Sequence, residues 1–443
     1  MSTTNATVTV AARRSPVATI APAQPVGSIR SVVVLGVLVI ALQRIGIPVG
    51  AFSIPVSAVI VLVFVVVMLS RRQARISPTR TVMMLLFAAA GFATAIANDG
   101  GTSMISSLAF ALALWTPAIV VEAPSGAGSG AIPSSFALGM VAATALGGVL
   151  GAVQSGWSLV TGNFFDPLAA LPAALLIPGY KSAQSIDYGG SWMKANGVLF
   201  LEPSFLSLFS ALALLVIVAG MVKLPPGARG WTVTALIVGL FTSVAISGVL
   251  VIPAIVIAVL RSVRTVLLAI VVSIGVYCLV SVVPVAQAFI NRLFFLRGSN
   301  DARLTRPYEE LLGVWVDGPI WFGYGPGTAR DLADLLTAGS WQTEVTTPTI
   351  AKLLFEYGIV GGGVWLVLVT SILVMSGAPF AVKLGFGIAL LIPTDGLTSH
   401  VIVPSFIFIL MAMAAHNSRH VATRVPPLIK MSQSRARVTQ SLE

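Results

Sequence analysis

Apolar stretches long enough to cross a bilayer follow one another along most of this chain, separated by short polar breaks. They fall at about 31–49, 52–70, 81–97, 104–121, 133–152, 199–221, 231–243, 246–260, 265–285, 350–374, 378–394 and 398–415. A helix needs roughly 18–22 apolar residues to span the hydrocarbon layer. Backbone groups in lipid must be satisfied within the segment, so the expected fold is all-α, a polytopic membrane helix bundle of about 12 transmembrane helices. A transmembrane barrel would show alternating segments of about ten residues, and none occurs. The 231–260 region reads as one long bent helix or as two, with Thr242-Ser243 and Ser247-Gly248 favouring a turn. No cleavage site follows the first apolar run and another run comes directly after it, so it reads as a membrane helix rather than a signal peptide.

Composition agrees: 56% of residues are hydrophobic and only 9% charged, with a mean hydropathy of +0.97. The single cysteine, Cys278, lies in an apolar run, can form no intrachain disulfide and reads as a small packing residue. Residues 1–29, rich in Ala, Thr, Ser, Val and Pro, read as a disordered cytoplasmic tail. The membrane domain then takes up 30–417, and 418–443 form a basic cytoplasmic tail. Arg71, Arg72, Arg75 and Arg80 fall in one loop, Lys223 and Arg229 in a second, Arg261 and Arg264 in a third. Arg419, Arg424, Lys430, Arg435 and Arg437 follow the last span. With twelve spans all these groups, and the N-terminal arginines, land on one side, which is the cytoplasm by the positive-inside rule, and both termini are cytoplasmic. The net charge of +11 is thus loop topology and not a nucleic-acid signature.

Two long loops, about 153–198 and 286–349, then face outward. The second breaks the charge rule, with Arg292, Arg297, Arg303, Arg306 and Arg330 on the external side. Those arginines read either as solvated loop charge touching lipid phosphates or as a clamp on a diphosphate, to which guanidinium geometry is suited. Within the loop Pro307 can start a helix. Tyr308, Leu311, Leu312, Trp315 and Val316 then form one apolar stripe, which predicts a surface helix with Trp315 at the membrane interface. A second short helix is predicted from Thr328, with Asp331 completing a capping box and Gly339 ending it. Between them lies Trp321-Phe322-Gly323-Tyr324-Gly325-Pro326-Gly327. It reads as a tight connection between helices or as a turn that lets backbone approach a ligand; no strand precedes it, so it is no dinucleotide fingerprint.

Six other residues carry chemistry. Glu202, followed by Pro203, opens the sixth span as a helix cap or as a substrate contact. Lys352 and Glu356, one turn apart, read as a pair. Asp395 and His400 flank an external turn, where the histidine is either a hydrogen-bonded interface residue or a base. Arg44, beside Gln43, sits near the outer end of the first span and reads as a snorkelling side chain.

Arg303, then Pro319-Ile320-Trp321-Phe322-Gly323-Tyr324-Gly325, then Leu353-Leu354-Phe355-Glu356-Tyr357-Gly358-Ile359-Val360-Gly361 together resemble the shared signature of the O-antigen ligase and O-antigen polymerase superfamily. Asn196-Gly197 through Glu202-Pro203-Ser204 is similar to an element of its polysaccharide polymerases. Pro319 stands one residue further from Gly323 than that signature prescribes. Where ligases of the family carry a histidine, this chain has Thr347-Pro348, which favours the polymerase side and leaves the base unassigned.

The resemblance implies a membrane glycosyltransferase of the external face of the plasma membrane. It would transfer glycan from a polyprenyl-diphosphate-linked donor to a sugar hydroxyl of a lipid-linked acceptor, as in O-antigen or exopolysaccharide polymerisation. Arg303 and Arg306 would act on the leaving diphosphate, and Glu202 or His400 would be the base. Arg297, Gly323, Tyr324, Gly325, Arg330 and Glu356 would contact substrate. No cofactor and no metal is implied, since the donor is already activated. The implied partners are the donor and acceptor, membrane lipid and a chain-length regulator. A lipid-linked oligosaccharide flippase, or a non-catalytic partner of a polysaccharide assembly machine, are the rival readings.

Overall fold

Prolines set most of the helix starts in a computed structural model of the chain, which describes residues 26–49, 52–123, 131–178, 184–185, 193–260, 305–337 and 347–412. The helices are α1 (Val26–Ala41), α2 (Val56–Ser70), α3 (Pro78–Ala97), α4 (Thr102–Trp115), α5 (Ala131–Thr161), α6 (Pro203–Val218), α7 (Pro226–Ser243), α8 (Ile252–Val259), α9 (Arg306–Val316), α10 (Thr328–Thr337), α11 (Thr349–Met375), α12 (Phe380–Leu391) and α13 (Ile402–Ile409). Pro78, Pro203 and Pro226 lie in the first turns of α3, α6 and α7. Pro55, Pro348 and Pro379 precede α2, α11 and α12. At those positions a missing amide costs nothing and the fixed φ is already helical.

The chain is mostly helical, with few strands. Among the described residues, four apolar helical stretches are long enough to cross a membrane: Pro78–Ala97, Thr102–Ile119, Ala131–Thr161 and Thr349–Met375. Several shorter apolar helices, among them Val56–Ser70, Pro203–Val218 and Phe380–Leu391, pack with them. The expected first span is cut short at Ala41, because the chain turns there into an antiparallel hairpin, β1 (Gly46–Val49) with β2 (Phe52–Pro55). Helix α5 runs on to Thr161, so the first long loop begins later than expected. The 231–260 region is two elements: Val244 adopts a left-handed conformation at the end of α7, and a 3₁₀ segment, Ile246–Val251, leads into α8. The apolar run at 265–285 lies outside the described residues.

Helix α5 is the axle of the bundle, packing on α1, α6 and α7. Its crossings are close because glycines leave the backbones bare: a Cβ at Gly139 would stand 2.0 Å from the Val33 carbonyl oxygen, and one at Gly148 2.1 Å from that of Ala235. A second packing unit joins α3, α4, α11 and α13. Trp115 meets Trp365 edge to face with centroids 5.0 Å apart, and Phe87 packs on Tyr357 at 4.8 Å.

At one end of the bundle β3 (Ala74–Ile76) pairs with β4 (Val120–Glu122), and the Glu122 amide donates to the Ala412 carbonyl. Arg71, Arg72 and Arg75 are exposed there. Arg80, grouped with them by sequence, is not a solvated loop charge. It lies in the first turn of α3, 1% exposed, donating from Nη1 to the Ala118 carbonyl at 3.3 Å. Among the described residues its Nε and Nη2 find no acceptor. The opposite end carries the candidate site.

Candidate functional site

The glycine turn and the broken helix α11 form one unit. Inside α11, Gly358 takes φ 61° and ψ −166°, far from helical values. In an unbroken helix the amides of Ile359 and Val360 would donate to the carbonyls four residues back, those of Phe355 and Glu356. Here the turn replaces those partners. Tyr324 and Gly325 amides donate to the Phe355 and Glu356 carbonyls at 2.8 and 2.9 Å, and Ile359 and Val360 amides donate to the Ile320 and Trp321 carbonyls at 3.0 Å each. The break orphans four backbone groups and the turn satisfies all four, which a segment inside an apolar bundle requires.

From the other side α3 holds the same turn. Thr94 Oγ1 donates to the Phe322 carbonyl at 2.9 Å and Asn98 Nδ2 to that of Gly323 at 3.3 Å. The amides of Gly323, Tyr324 and Gly325 are therefore spent on protein carbonyls, with Gly323 donating to Pro319 at 2.7 Å. The geometry matches the tight-connection reading of these glycines, and the connection is to α11 as well as between the two short helices.

Those helices form as the sequence predicts, with a different face for one and a different cap for the other. The stripe of α9 faces inward except at its end, where Val316 is exposed: Leu311 is buried with Ala329, Ala351 and Phe355, and Tyr308, Trp315 and Tyr324 pack against them. Trp315 is thus half-buried among protein side chains, and the exposed aromatics are Trp321 and Phe322. Tyr324 stacks on Phe355 with centroids 4.7 Å apart. Thr328 is the first residue of α10 rather than its cap, and its hydroxyl donates to the Gly325 carbonyl at 2.7 Å. The amino end of α10 is capped from across the bundle: Glu356 Oε1 accepts from the Ala329 amide at 3.3 Å. A carboxylate there meets both free amides and the positive end of the helix dipole. Gly339 lies outside the described residues.

Glu356 is 1% exposed and belongs to a charged cluster. Its expected partner Lys352 lies 4.0 Å away, but Lys352 Nζ is far closer to Asp395, at 2.7 Å. The i,i+4 pair is therefore secondary to a long-range one. Asp395 in turn accepts from the amides of Leu397 and Thr398 and from the Thr398 hydroxyl. That turn leads to His400, 3% exposed, whose Nε2 lies 2.9 Å from the Gln43 carbonyl. A carbonyl only accepts, so Nε2 carries the hydrogen and Nδ1 is the ring's basic nitrogen.

Gln43 links His400 to the Glu202 segment, because its Oε1 accepts from the Leu201 amide at 3.3 Å. Glu202 occupies the N-cap position of α6 without a side-chain cap bond, is buried, and accepts from the Ser204 hydroxyl at 3.1 Å. Arg44 does not snorkel. It is buried in a two-pronged bond to Asp166, at 2.8 and 2.7 Å, and also donates to the Val198 carbonyl at 2.8 Å. Gln154 and Asn196 complete this belt: Gln154 donates to Asn196 at 2.9 Å and accepts from the Gly197 amide at 2.7 Å.

The structure thus gathers Glu202 and His400 around Gln43, and Gly323, Tyr324, Gly325 and Glu356 around the break in α11. Arg330 is exposed in the first turn of α10. Arg306 stands apart at the start of α9, paired with Glu310 at 2.6 Å on a partly exposed surface. Arg297 and Arg303 lie outside the described residues. Sequence reasoning passed over Gln154 and Asp166; a polar side chain inside or beside an apolar run is the signal that marks them. Among the described residues no three His, Cys, Asp or Glu side chains stand close enough to hold a metal ion. No protein-family model matches the chain, and no curated protein matches it.

Proposed function

We propose that the chain is a membrane glycosyltransferase of the O-antigen ligase and polymerase type, transferring glycan from a polyprenyl-diphosphate donor on the external face of the plasma membrane. The observation that carries this reading is the pairing of the two separate parts of the signature. Residues 320–325 and 355–360 exchange four backbone hydrogen bonds, so the spacing that prompted the resemblance has a physical use in this chain.

On this reading the bundle has about 12 spans, with both tails cytoplasmic and the 286–349 loop outside. The acceptor hydroxyl attacks the anomeric carbon as the bond to the diphosphate oxygen breaks. Arg303, Arg306 and Arg297 stabilise the negative charge growing on the leaving diphosphate, the role that preorganised cations fill best. The hydroxyl proton goes to a base. His400 Nδ1 and the Glu202 carboxylate are the candidates, both near Gln43. Glu356 supports the site by holding α10 and its Arg330 at the top of α11.

The test is replacement of Arg303 and Arg306 by Ala, followed by extraction of lipid-linked glycan. Single repeats accumulating on the outer leaflet are expected; long glycan at normal amounts would refute the clamp. One observation favours a second reading, a lipid-linked oligosaccharide flippase. Discontinuous helices with ionisable groups beside the break are a transporter feature, and α11 has both in Gly358 and the Lys352–Glu356–Asp395 cluster. Repeats retained on the cytoplasmic leaflet would select that reading.

A further inference from the structure

The Trp321-Phe322 turn is hydrophobic, exposed and fixed in height. Trp321 is 63% and Phe322 51% exposed, an unusual state for two adjacent aromatics in a loop otherwise rich in charge. Their backbone is bonded at both sides to helices apolar and long enough to cross a membrane, α3 and α11. The Phe322 carbonyl is held by Thr94, three residues before the end of α3 at Ala97. At 1.5 Å of rise per residue that is about 5 Å below the helix end. The Trp321 carbonyl is held by Val360, well inside α11, which begins at Thr349. At this level the flanking helices also turn apolar side chains outward: Phe92 45% and Ile96 77% exposed on α3, Ile359 42% and Val360 40% on α11. The six side chains come from three segments joined by these bonds, and two of the segments are candidate membrane spans.

We propose that this turn is seated in the bilayer, with Trp321 and Phe322 against lipid acyl chains at the edge of the hydrocarbon layer. The occupant follows from continuity: the turn lies below the end of α3, beside exposed apolar residues that face lipid if α3 and α11 span the membrane. Tryptophan favours that depth, having an apolar ring and a polar N–H. The break at Gly358 then has a purpose beyond connection, since it lets the turn enter lipid with the carbonyls of residues 320–323 and the amides of Gly323, Tyr324 and Gly325 already satisfied. The inference rests on the spans and not on the glycosyltransferase reading, so either can fail alone.

The test uses the full chain in phosphatidylcholine vesicles. In a Cys278→Ser background, Trp321→Cys or Phe322→Cys is labelled with an environment-sensitive fluorophore, and Glu309→Cys, on the exposed side of α9, serves as the aqueous control. Lipids carrying a nitroxide high on the acyl chain should quench the 321 and 322 labels at least twofold more than the 309 label, and aqueous iodide should do the reverse. Iodide quenching at 321 and 322 equal to that at 309 overturns the proposal. Shielding from both quenchers, the result if a second protein surface covers the turn, overturns it too. Should the cysteine variants fail to fold, the unmodified protein is irradiated in vesicles containing an acyl-chain photoprobe. Label on the peptide holding Trp321 and Phe322 is expected, and a clean peptide refutes the placement.

Discussion

Replacing Gly358 by Ala tests whether the break in α11 is built into the chain. Two costs arise. The backbone at φ 61°, ψ −166° is open in practice to glycine alone, and forcing another residue there costs about 1–3 kcal/mol. The new Cβ would also stand 2.4 Å from the Trp321 carbonyl oxygen and 2.5 Å from the Phe322 nitrogen. Both contacts are backbone, so no side chain can swing aside. The turn must retreat, and the Val360 amide loses its acceptor at Trp321; each such bond is worth about 1 kcal/mol net, and more where the group is left unsatisfied. Together the loss is roughly 3–5 kcal/mol.

That loss falls on the turn more than on the helix. Alanine is the best helix former, and a straightened α11 would recover its own bonds from Ile359 to Phe355 and from Val360 to Glu356. The expected result is an expelled turn over an intact span. Hydrogen exchange reads this directly: the Tyr324 and Gly325 amides should exchange faster by roughly two orders of magnitude or more, at about 1.4 kcal/mol per tenfold. Amides of α5 should stay protected. Exchange at 324 and 325 within threefold of the wild type would refute the account. Gly363→Ala is the control, since a Cβ there meets nothing within 4 Å; it should leave the turn protected and raise helix stability by up to about 1 kcal/mol.

Three further outcomes follow from buried charge. Asp166→Ala leaves the Arg44 guanidinium buried without its carboxylate partner and should lower stability by about 3–5 kcal/mol, read as the thermal midpoint in detergent; the double change Arg44→Met with Asp166→Leu should recover most of the loss. Arg80→Met removes a buried cation with two nitrogens that find no acceptor among the described residues, and replacing such a group by an apolar one of similar length should leave the midpoint unchanged or raise it. A fall of several degrees would show that Arg80 has a partner worth keeping. Glu356→Gln retains an acceptor for the Ala329 amide, so that amide should keep its protection from exchange, whereas Glu356→Ala should lose a cap worth about 1 kcal/mol and expose it.

Local signals were legible where the responsible atoms lie close in sequence. Pro307 started a helix within one residue of its expected place, Glu202-Pro203 opened α6 as its N-cap position and first turn though without a side-chain cap bond, and the apolar runs marked the membrane-length helices α3, α5 and α11. The stripe on α9 was visible too, but its direction was not: a stripe facing lipid and one facing α11 have the same spacing, and only the partner decides. Hydropathy windows also average away single polar residues, which hid Gln154 at the end of an apolar run. The pairs that organise the site join residues far apart in the chain: Arg44 with Asp166, Gln43 with Leu201, Lys352 with Asp395, Glu356 with Ala329. For Lys352 a local partner was at hand, and the spacing rule chose it; the tertiary partner won because Asp395 approaches to 2.7 Å where Glu356 stays at 4.0 Å.

The two glycine clusters show the same limit from the other direction. Gly323 and Gly325 read as a tight connection between helices or as a turn that lets backbone approach a ligand, and Gly358 stood only as one residue of the Leu353–Gly361 stretch that carries the resemblance. In the structure each explains the other. A Cβ at Gly323 would strike Glu356 and Gly358, and one at Gly358 would strike Trp321 and Phe322. The ligand that Gly323 admits is the backbone of α11, while Gly325 closes on Met104 of α4. What remains open to a substrate at this end of the bundle is therefore the set of side chains that the knot holds in place, and a substitution in the knot should disturb them all together, whereas a substitution at Arg306 should leave the knot intact.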